Sequence, residues 1–116
     1  MPSLDTCSLY ITHIQGKTVR LPSEYLQIIQ DAFCETFDPT DHLWIFGSRV
    51  DPQKRGGDID LYIEARDTKK AYEAKNRLWL HLQKRLGEQK IDIVLNTHTT
   101  HLPIYDIARK EGIQLL

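Results

Sequence analysis

The sequence predicts an α/β fold, a small mixed β-sheet packed by helices. Three observations carry that reading. Residues 43–46, and residues 91–95 apart from Asp92, are apolar runs of the length of buried strands. Residues 58–63 alternate polar and apolar side chains with the period of two that a strand requires. Between these runs lie stretches with apolar side chains three and four residues apart, the spacing of one helix face. Strands alternating with helices build layered α/β domains.

In chain order, residues 1–6 read as a loose end. Tyr10, Ile11, Thr12, His13 and Ile14 partly alternate and predict a short strand. Gln15, Gly16 and Lys17 predict a turn, and Thr18, Val19 and Arg20 a return strand. Leu21, Pro22 and Ser23 open a helix in which Leu26, Ile29, Phe33 and Phe37 share a face, ending near Asp38 and Pro39. Leu43, Trp44, Ile45 and Phe46 then form a buried strand, broken by Gly47 and Ser48. The polar residues 49–57, ending in Gly56 and Gly57, predict a loop or a short helix with a loop. Ile59, Leu61 and Ile63 give the next strand its apolar face. Ala71, Ala74, Leu78, Leu82 and Leu86 mark a long helix over residues 68–86, ended by Gly87. Residues 91–95 give a further strand, and residues 102–110 a last short helix closed by Gly112.

A chain of 116 residues favours one compact domain over residues 1–116, with little room for a separate substrate domain. The formal net charge of −1 predicts no general pull toward nucleic acid or a membrane surface, although a local basic patch is compatible with it. Two cysteines, Cys7 and Cys34, do not make a disulfide framework. The apolar stretch at residues 9–14 is interrupted by Thr12 and His13 and is too short for a secretory leader. No run approaches the ~20 apolar residues that span a bilayer. These features predict a cytoplasmic chain with reduced thiols.

The chemistry concentrates in three carboxylates. Asp58 and Asp60 stand two apart on a strand, so both project from one face while Ile59, Leu61 and Ile63 pack on the other. Neighbouring carboxylates repel, and a divalent cation relieves the repulsion. Magnesium prefers carboxylate oxygens combined with substrate phosphate oxygens. Asp92 repeats the theme inside an apolar strand, where an unpaired charge is costly. If the two strands are neighbours, the three acids converge and can hold two cations ~3.5–4 Å apart, as in-line phosphoryl displacement uses. An isolated Asp-x-Asp is more often a solvated strand edge, so the context matters. Upstream stand Gly47 and Ser48, where small side chains and exposed N–H groups suit a phosphate. Arg49, Lys54 and Arg55 in the same loop can neutralise a triphosphate.

Phe46-Gly47-Ser48-Arg49 followed by Gly57-Asp58-Ile59-Asp60-Leu61 resembles the signature of the polymerase-beta-like nucleotidyltransferases, in particular the minimal nucleotidyltransferase group. The resemblance covers residues 43–95. It implies a polymerase-beta-like nucleotidyltransferase fold, with Gly47 and Ser48 contacting nucleotide phosphates. It implies Asp58 and Asp60 as metal ligands and Asp92 as a third acid that assists deprotonation of the acceptor. The chain departs from the pattern in two ways. The nine residues 49–57 make a spacer one residue shorter than is common in the group. The usual Arg-Gly soon after the Gly-Ser is also displaced: Arg49 follows Ser48 directly, and Arg55-Gly56 comes late. The β- and γ-phosphate contact therefore falls to Arg49, with Lys54 and Arg55 as rivals.

The implied reaction moves a nucleoside monophosphate, AMP from ATP by resemblance, onto an acceptor hydroxyl with Mg²⁺. Minimal members of the group are often encoded beside a small helical HEPN protein. In toxin–antitoxin pairs the transferase is the antitoxin and adenylylates a tyrosine near the toxin's active site. The HEPN ribonuclease signature, an Arg a few residues ahead of a His, does not occur here: Arg77 and His81 stand one residue too close. The resemblance thus implies the transferase half, a protein adenylyltransferase acting on a HEPN toxin. Two alternatives stand beside it. One is a non-catalytic antitoxin that binds by steric contact. The other is a transferase for a small molecule, with a homo-oligomer building the pocket between subunits, or for RNA, which the near-neutral charge disfavours.

Other features read as structural. His98 and His101 follow a strand with no cysteine cluster nearby, which favours a loop over a metal site. His13, His42 and His81 are isolated. Trp44 reads as a core residue, and Trp79 as core packing or a helix–helix contact in preference to nucleotide stacking. Lys69, Lys70, Lys75, Arg77, Lys84 and Arg85 make part of the long helix basic: a solvated face by default, or a docking surface for an acidic partner.

Overall fold

In the computed structural model, the structure describes residues 11–116. The expectations for residues 1–6, Cys7 and Tyr10 lie outside the described residues. The first elements are an antiparallel hairpin, β1 (Thr12–Ile14) and β2 (Lys17–Val19), with Ile14 paired to Lys17. Gln15 and Gly16 both adopt positive φ, the geometry of a tight two-residue hairpin turn. Thr12 Oγ1 donates to the Leu21 carbonyl at 2.9 Å and ties the hairpin to the entry of the first helix.

Helix α1 (Ser23–Thr36) starts directly after Pro22, whose fixed φ suits a helix start, and buries Leu26, Ile29, Ala32 and Phe33. Strand β3 (His42–Phe46) runs into a single 3₁₀ turn, Gly47–Val50. A loop then leads to β4 (Ile59–Glu64). Helix α2 (Thr68–Leu86) is capped by Asp67, whose side chain accepts from the Lys70 N–H at 3.0 Å, and ends at Gly87 with φ 73°. It connects β4 to the parallel strand β5 (Ile91–Asn96), as a crossover must. Helix α3 (Pro103–Glu111) carries Pro at its start and precedes a short strand, β6 (Ile113–Gln114).

The main sheet has the order β5-β4-β3-β6 and is mixed: β4 and β5 are parallel, while β3 is antiparallel to both β4 and β6. Helices α1 and α2 pack on one face over Leu43, Ile45, Ile59, Leu61 and Ile63. On the other face α3 lays Tyr105 and Ala108 over Trp44, Phe46 and Tyr62. Tyr62 therefore sits in a second, smaller core, where its hydroxyl donates to Glu64 Oε2 at 2.6 Å and accepts from Asn96 Nδ2 at 3.0 Å. Burial and the Glu64 hydrogen bond push the Tyr62 phenol well above its ordinary range. No helix among the described residues is long and apolar enough to cross a membrane.

Two expectations need correction. Trp79 is 43% exposed and is not a packing residue of the core. Each residue turns about 100° around a helix, so Trp79 points to the flank of the stripe that holds Leu78 and Leu82. The strand β6 is an addition to the expected elements; two residues are too few for any periodicity, and pairing with β3 creates it.

Candidate active site

The loop between β3 and β4 is folded around two glycines. Gly47 has φ 77°, a region that L side chains disfavour, and a Cβ there would collide with the Asp60 carboxylate. Gly57 has φ 94°, and a Cβ there would collide with the Ser48 side chain. The Ser48 hydroxyl in turn donates to the Asp58 carbonyl at 3.4 Å. The Gly-Ser turn and the Asp-x-Asp strand are thus interlocked, each glycine making room for a polar side chain of the other segment.

Register brings the second strand in. Asp60 is paired with Asp92 across the parallel β4–β5 ladder and with Phe46 across the antiparallel β3–β4 ladder. Neighbours in register share a sheet face, so the two carboxylates lie side by side on the face opposite α1 and α2. Burial, then Asp92, then Asp58 hold the Asp60 carboxyl above its ordinary range, and Lys90 partly offsets them. Asp58 lies just before the strand and forms an ion pair with Lys90, Oδ2 to Nζ 3.5 Å.

Asp92 is exposed, contrary to the burial expected from its apolar neighbours. The reason is that β5 is the edge of the sheet and α3 does not cover this end of it.

The basic residues are divided. Gly47, Ser48, Asp51, Lys54 and Glu111 line one open cleft of about 450 Å³. Arg49, Lys54 and Arg55 line another, on the hairpin side of the loop. Arg49, favoured from sequence for the phosphates, is half-buried and donates from Nη1 to the Arg20 carbonyl at 3.0 Å. Burial and the neighbouring Arg20 lower its pKa. Of the three rivals, Lys54 alone borders the cleft that contains Gly47 and Ser48.

Two residues escaped sequence reasoning. Arg20, outside the motif, braces the loop: Nε donates to the Asp51 carbonyl at 2.8 Å, and Nη2 to the carbonyls of Ser48 at 2.5 Å and Gly56 at 2.9 Å. Its own N–H donates to the Arg49 carbonyl at 2.7 Å. Nothing in the spacing of the sequence marks that reach. Lys90 was in principle legible, since Asp58 and Lys90 each precede an isoleucine and Ile59 pairs with Ile91.

Compared with models of protein families and with curated proteins, the chain matches none.

The donor set suits magnesium better than a softer metal, being carboxylate oxygens around a carboxyl whose ionised form is crowded by like charge. Among the described residues no group of three or more His, Cys, Asp or Glu side chains is placed to hold a metal ion. Magnesium seldom needs one, because it binds through one or two carboxylates together with substrate phosphates. His98 and His101 lie in the loop after β5, where His101 Nε2 meets Asp106 Oδ2 at 3.0 Å.

Proposed function

We propose that this chain is a nucleotidyltransferase of the polymerase-beta-like type, moving a nucleoside monophosphate, AMP by preference, from a nucleoside triphosphate to an acceptor hydroxyl. The observation that carries the reading is the pairing of Asp60 with Asp92 beside the Gly47 backbone. A crowded carboxyl pair next to a small-residue turn fits a phosphate-bearing substrate and the cations that accompany it.

In this reading Asp58, Asp60 and Asp92 would hold magnesium once a nucleotide supplies further oxygen ligands, with two ions as the full complement. Magnesium bound there would offset charge on the phosphate oxygens and lower the pKa of the acceptor hydroxyl. The chain's own residues position the reactants. Backbone N–H groups at Gly47 and Ser48 and the Lys54 ammonium grip the phosphates. The acceptor oxygen bonds to the α-phosphorus, and the bond to the bridging oxygen breaks. Pyrophosphate leaves, and the acceptor proton passes to Asp92.

For the acceptor, the family resemblance supports a tyrosine of a HEPN-family toxin, which would make this chain the antitoxin. An ATP donor, if the proposal holds, and the free thiol of Cys34 fit a cytoplasmic setting. A second reading, neutralisation by contact alone, is favoured by one observation: Tyr72, Trp79 and Leu80 are exposed on α2 beside its lysines. Incubation with magnesium, α-labelled ATP and a purified HEPN candidate, next to Asp60→Asn, tests both. Label on the partner with the intact chain only is the expected result. Neutralisation by Asp60→Asn without label supports the contact reading, transfer that survives Asp60→Asn overturns the assignment of the acids, and absence of label with the intact chain overturns the enzymatic reading.

A further inference from the structure

The hairpin side of the candidate active-site loop carries a concentration of positive charge of which the proposed phosphate contacts use only Lys54. Arg20, Arg49, Lys54 and Arg55 line one open cleft of about 300 Å³, with Ile11 and Pro22 at its hairpin wall and no acid in its lining. Four cations gathered in one cleft stand out on a chain whose net charge is −1. None of the four takes part in an ion pair among the described residues. Arg49 Nε is buried and has no hydrogen-bond partner there. Arg20 stands near enough to disfavour the charge of Arg49, and an unpaired buried donor is costly. An anion in the cleft offsets that crowding of positive charge. The arrangement mirrors the acid pair across the loop, with the sign reversed.

The geometry points to a second anion site, a cleft that takes a small phosphoryl anion while the donor nucleotide occupies the cleft at Gly47 and Ser48. The two clefts share only Lys54. A volume at the lower end of ligand-sized clefts suits phosphate or pyrophosphate and not a whole nucleotide. Charged guanidinium and ammonium groups attract such anions more strongly than neutral donors do. Arg20, Ile11 and Pro22 come from the hairpin and the approach to α1, outside the segment that resembles the nucleotidyltransferases. Arg49, Lys54 and Arg55 lie within that segment, so the inference rests in part on that reading and adds a second site to it.

The test is titration of inorganic pyrophosphate into the isotope-labelled chain, alone and with saturating magnesium and a non-hydrolysable ATP analogue, monitored by amide shifts. Saturable shifts at Ile11, Arg20, Arg55 and Gly56 that persist with the analogue present are expected. Replacing both Lys54 and Arg55 by Glu weakens binding about tenfold or more, whereas Lys84→Glu, on the far helix, leaves it unchanged. Raised salt weakens it as well. Tighter binding of pyrophosphate than of glycerol phosphate assigns the cleft to a released product, and the reverse assigns it to a phosphorylated acceptor. Absence of saturable binding overturns the site, as does displacement of pyrophosphate by the analogue. If the analogue fails to bind while pyrophosphate still shifts the hairpin, the transferase reading fails and the anion site stands.

Discussion

The carboxylate of Asp60 occupies the space that a side chain on residue 47 would fill. A Cβ built on Gly47 stands 3.2 Å from Asp60 Cγ and closer still to one carboxylate oxygen. The turn after β3 and the acid on β4 are therefore one structural unit, and the glycine is required by its partner as well as by its own φ of 77°.

Gly47→Ala separates these two demands when compared with Gly16→Ala. Both glycines have nearly the same φ, 77° and 76°, but nothing lies within 4 Å of a Cβ at Gly16. Alanine in that region costs ~1–2 kcal/mol. Gly16→Ala should lose about that much and keep activity. Gly47→Ala should lose more and also displace the Asp60 carboxylate, abolishing transfer. Paired chemical denaturation and activity measurements check it; equal losses at the two sites would remove the Gly47–Asp60 argument.

Asp60→Asn should separate stability from activity. The Asp60 carboxyl is raised because burial, Asp92 and Asp58 oppose its charge. A raised carboxylate makes the folded state bind its proton more tightly than the unfolded chain does. The penalty is absent at pH below the ordinary value of 3.8, grows as pH rises through the raised value and is complete at neutral pH. Asp60→Asn removes it, so the variant should melt higher than the parent at neutral pH without magnesium. The gap should close as pH falls toward 3.8. Transfer should fall about 100-fold or more, as when a preorganised electrostatic contact is lost. A variant that melts lower at neutral pH would contradict the crowding of the acids.

Lys90 is a countercharge whose loss should be felt in pH dependence and hardly in stability. Its ammonium is 3.5 Å from Asp58 Oδ2 in an exposed pair, and it lowers the Asp60 pKa. Exposed pairs contribute ~0–1 kcal/mol. Lys90→Met should therefore leave the melting temperature nearly unchanged. With less opposing positive charge, Asp60 should hold its proton to higher pH, and the acid limb of the activity profile should move upward. A profile that does not move, or moves toward acid, would count against Lys90 acting on Asp60.

Much of this fold was legible because its periodicities are undiluted. The five apolar residues that mark the α2 face in sequence, Ala71, Ala74, Leu78, Leu82 and Leu86, are its buried ones. The strands around Phe46, Asp60 and Asp92 are likewise marked by apolar runs bounded by glycine or charge. Lateral order is what a sequence does not carry. It left open that α3 covers one end of the back face and leaves Asp92 open at the edge. For the same reason Trp79 was misjudged: a neighbour in sequence to Leu78 is not its neighbour on the helix surface. Arg20 was invisible because its contacts span 28 to 36 residues and depend on the loop's path.

Arg20→Ala should loosen the active-site loop without touching the acids. The guanidinium holds three carbonyls, those of Ser48, Asp51 and Gly56, so it fixes both ends and the middle of the turn. Hydrogen bonds from a charged donor contribute roughly 1.5–3 kcal/mol, less where water can replace the donor. These contacts are only part-buried or exposed, so about 1–2 kcal/mol is expected for the whole set. Arg20→Lys should recover little of it, because an ammonium cannot reproduce a planar fork. Hydrogen exchange should quicken at the amides of residues 48–57 and remain unchanged at β4 and β5. The KM for the nucleotide should rise more than kcat falls, since Asp60 and Asp92 keep their places on strands that Arg20 does not contact. Faster exchange throughout the main sheet would make Arg20 a general stabiliser of the fold and not the brace of this loop.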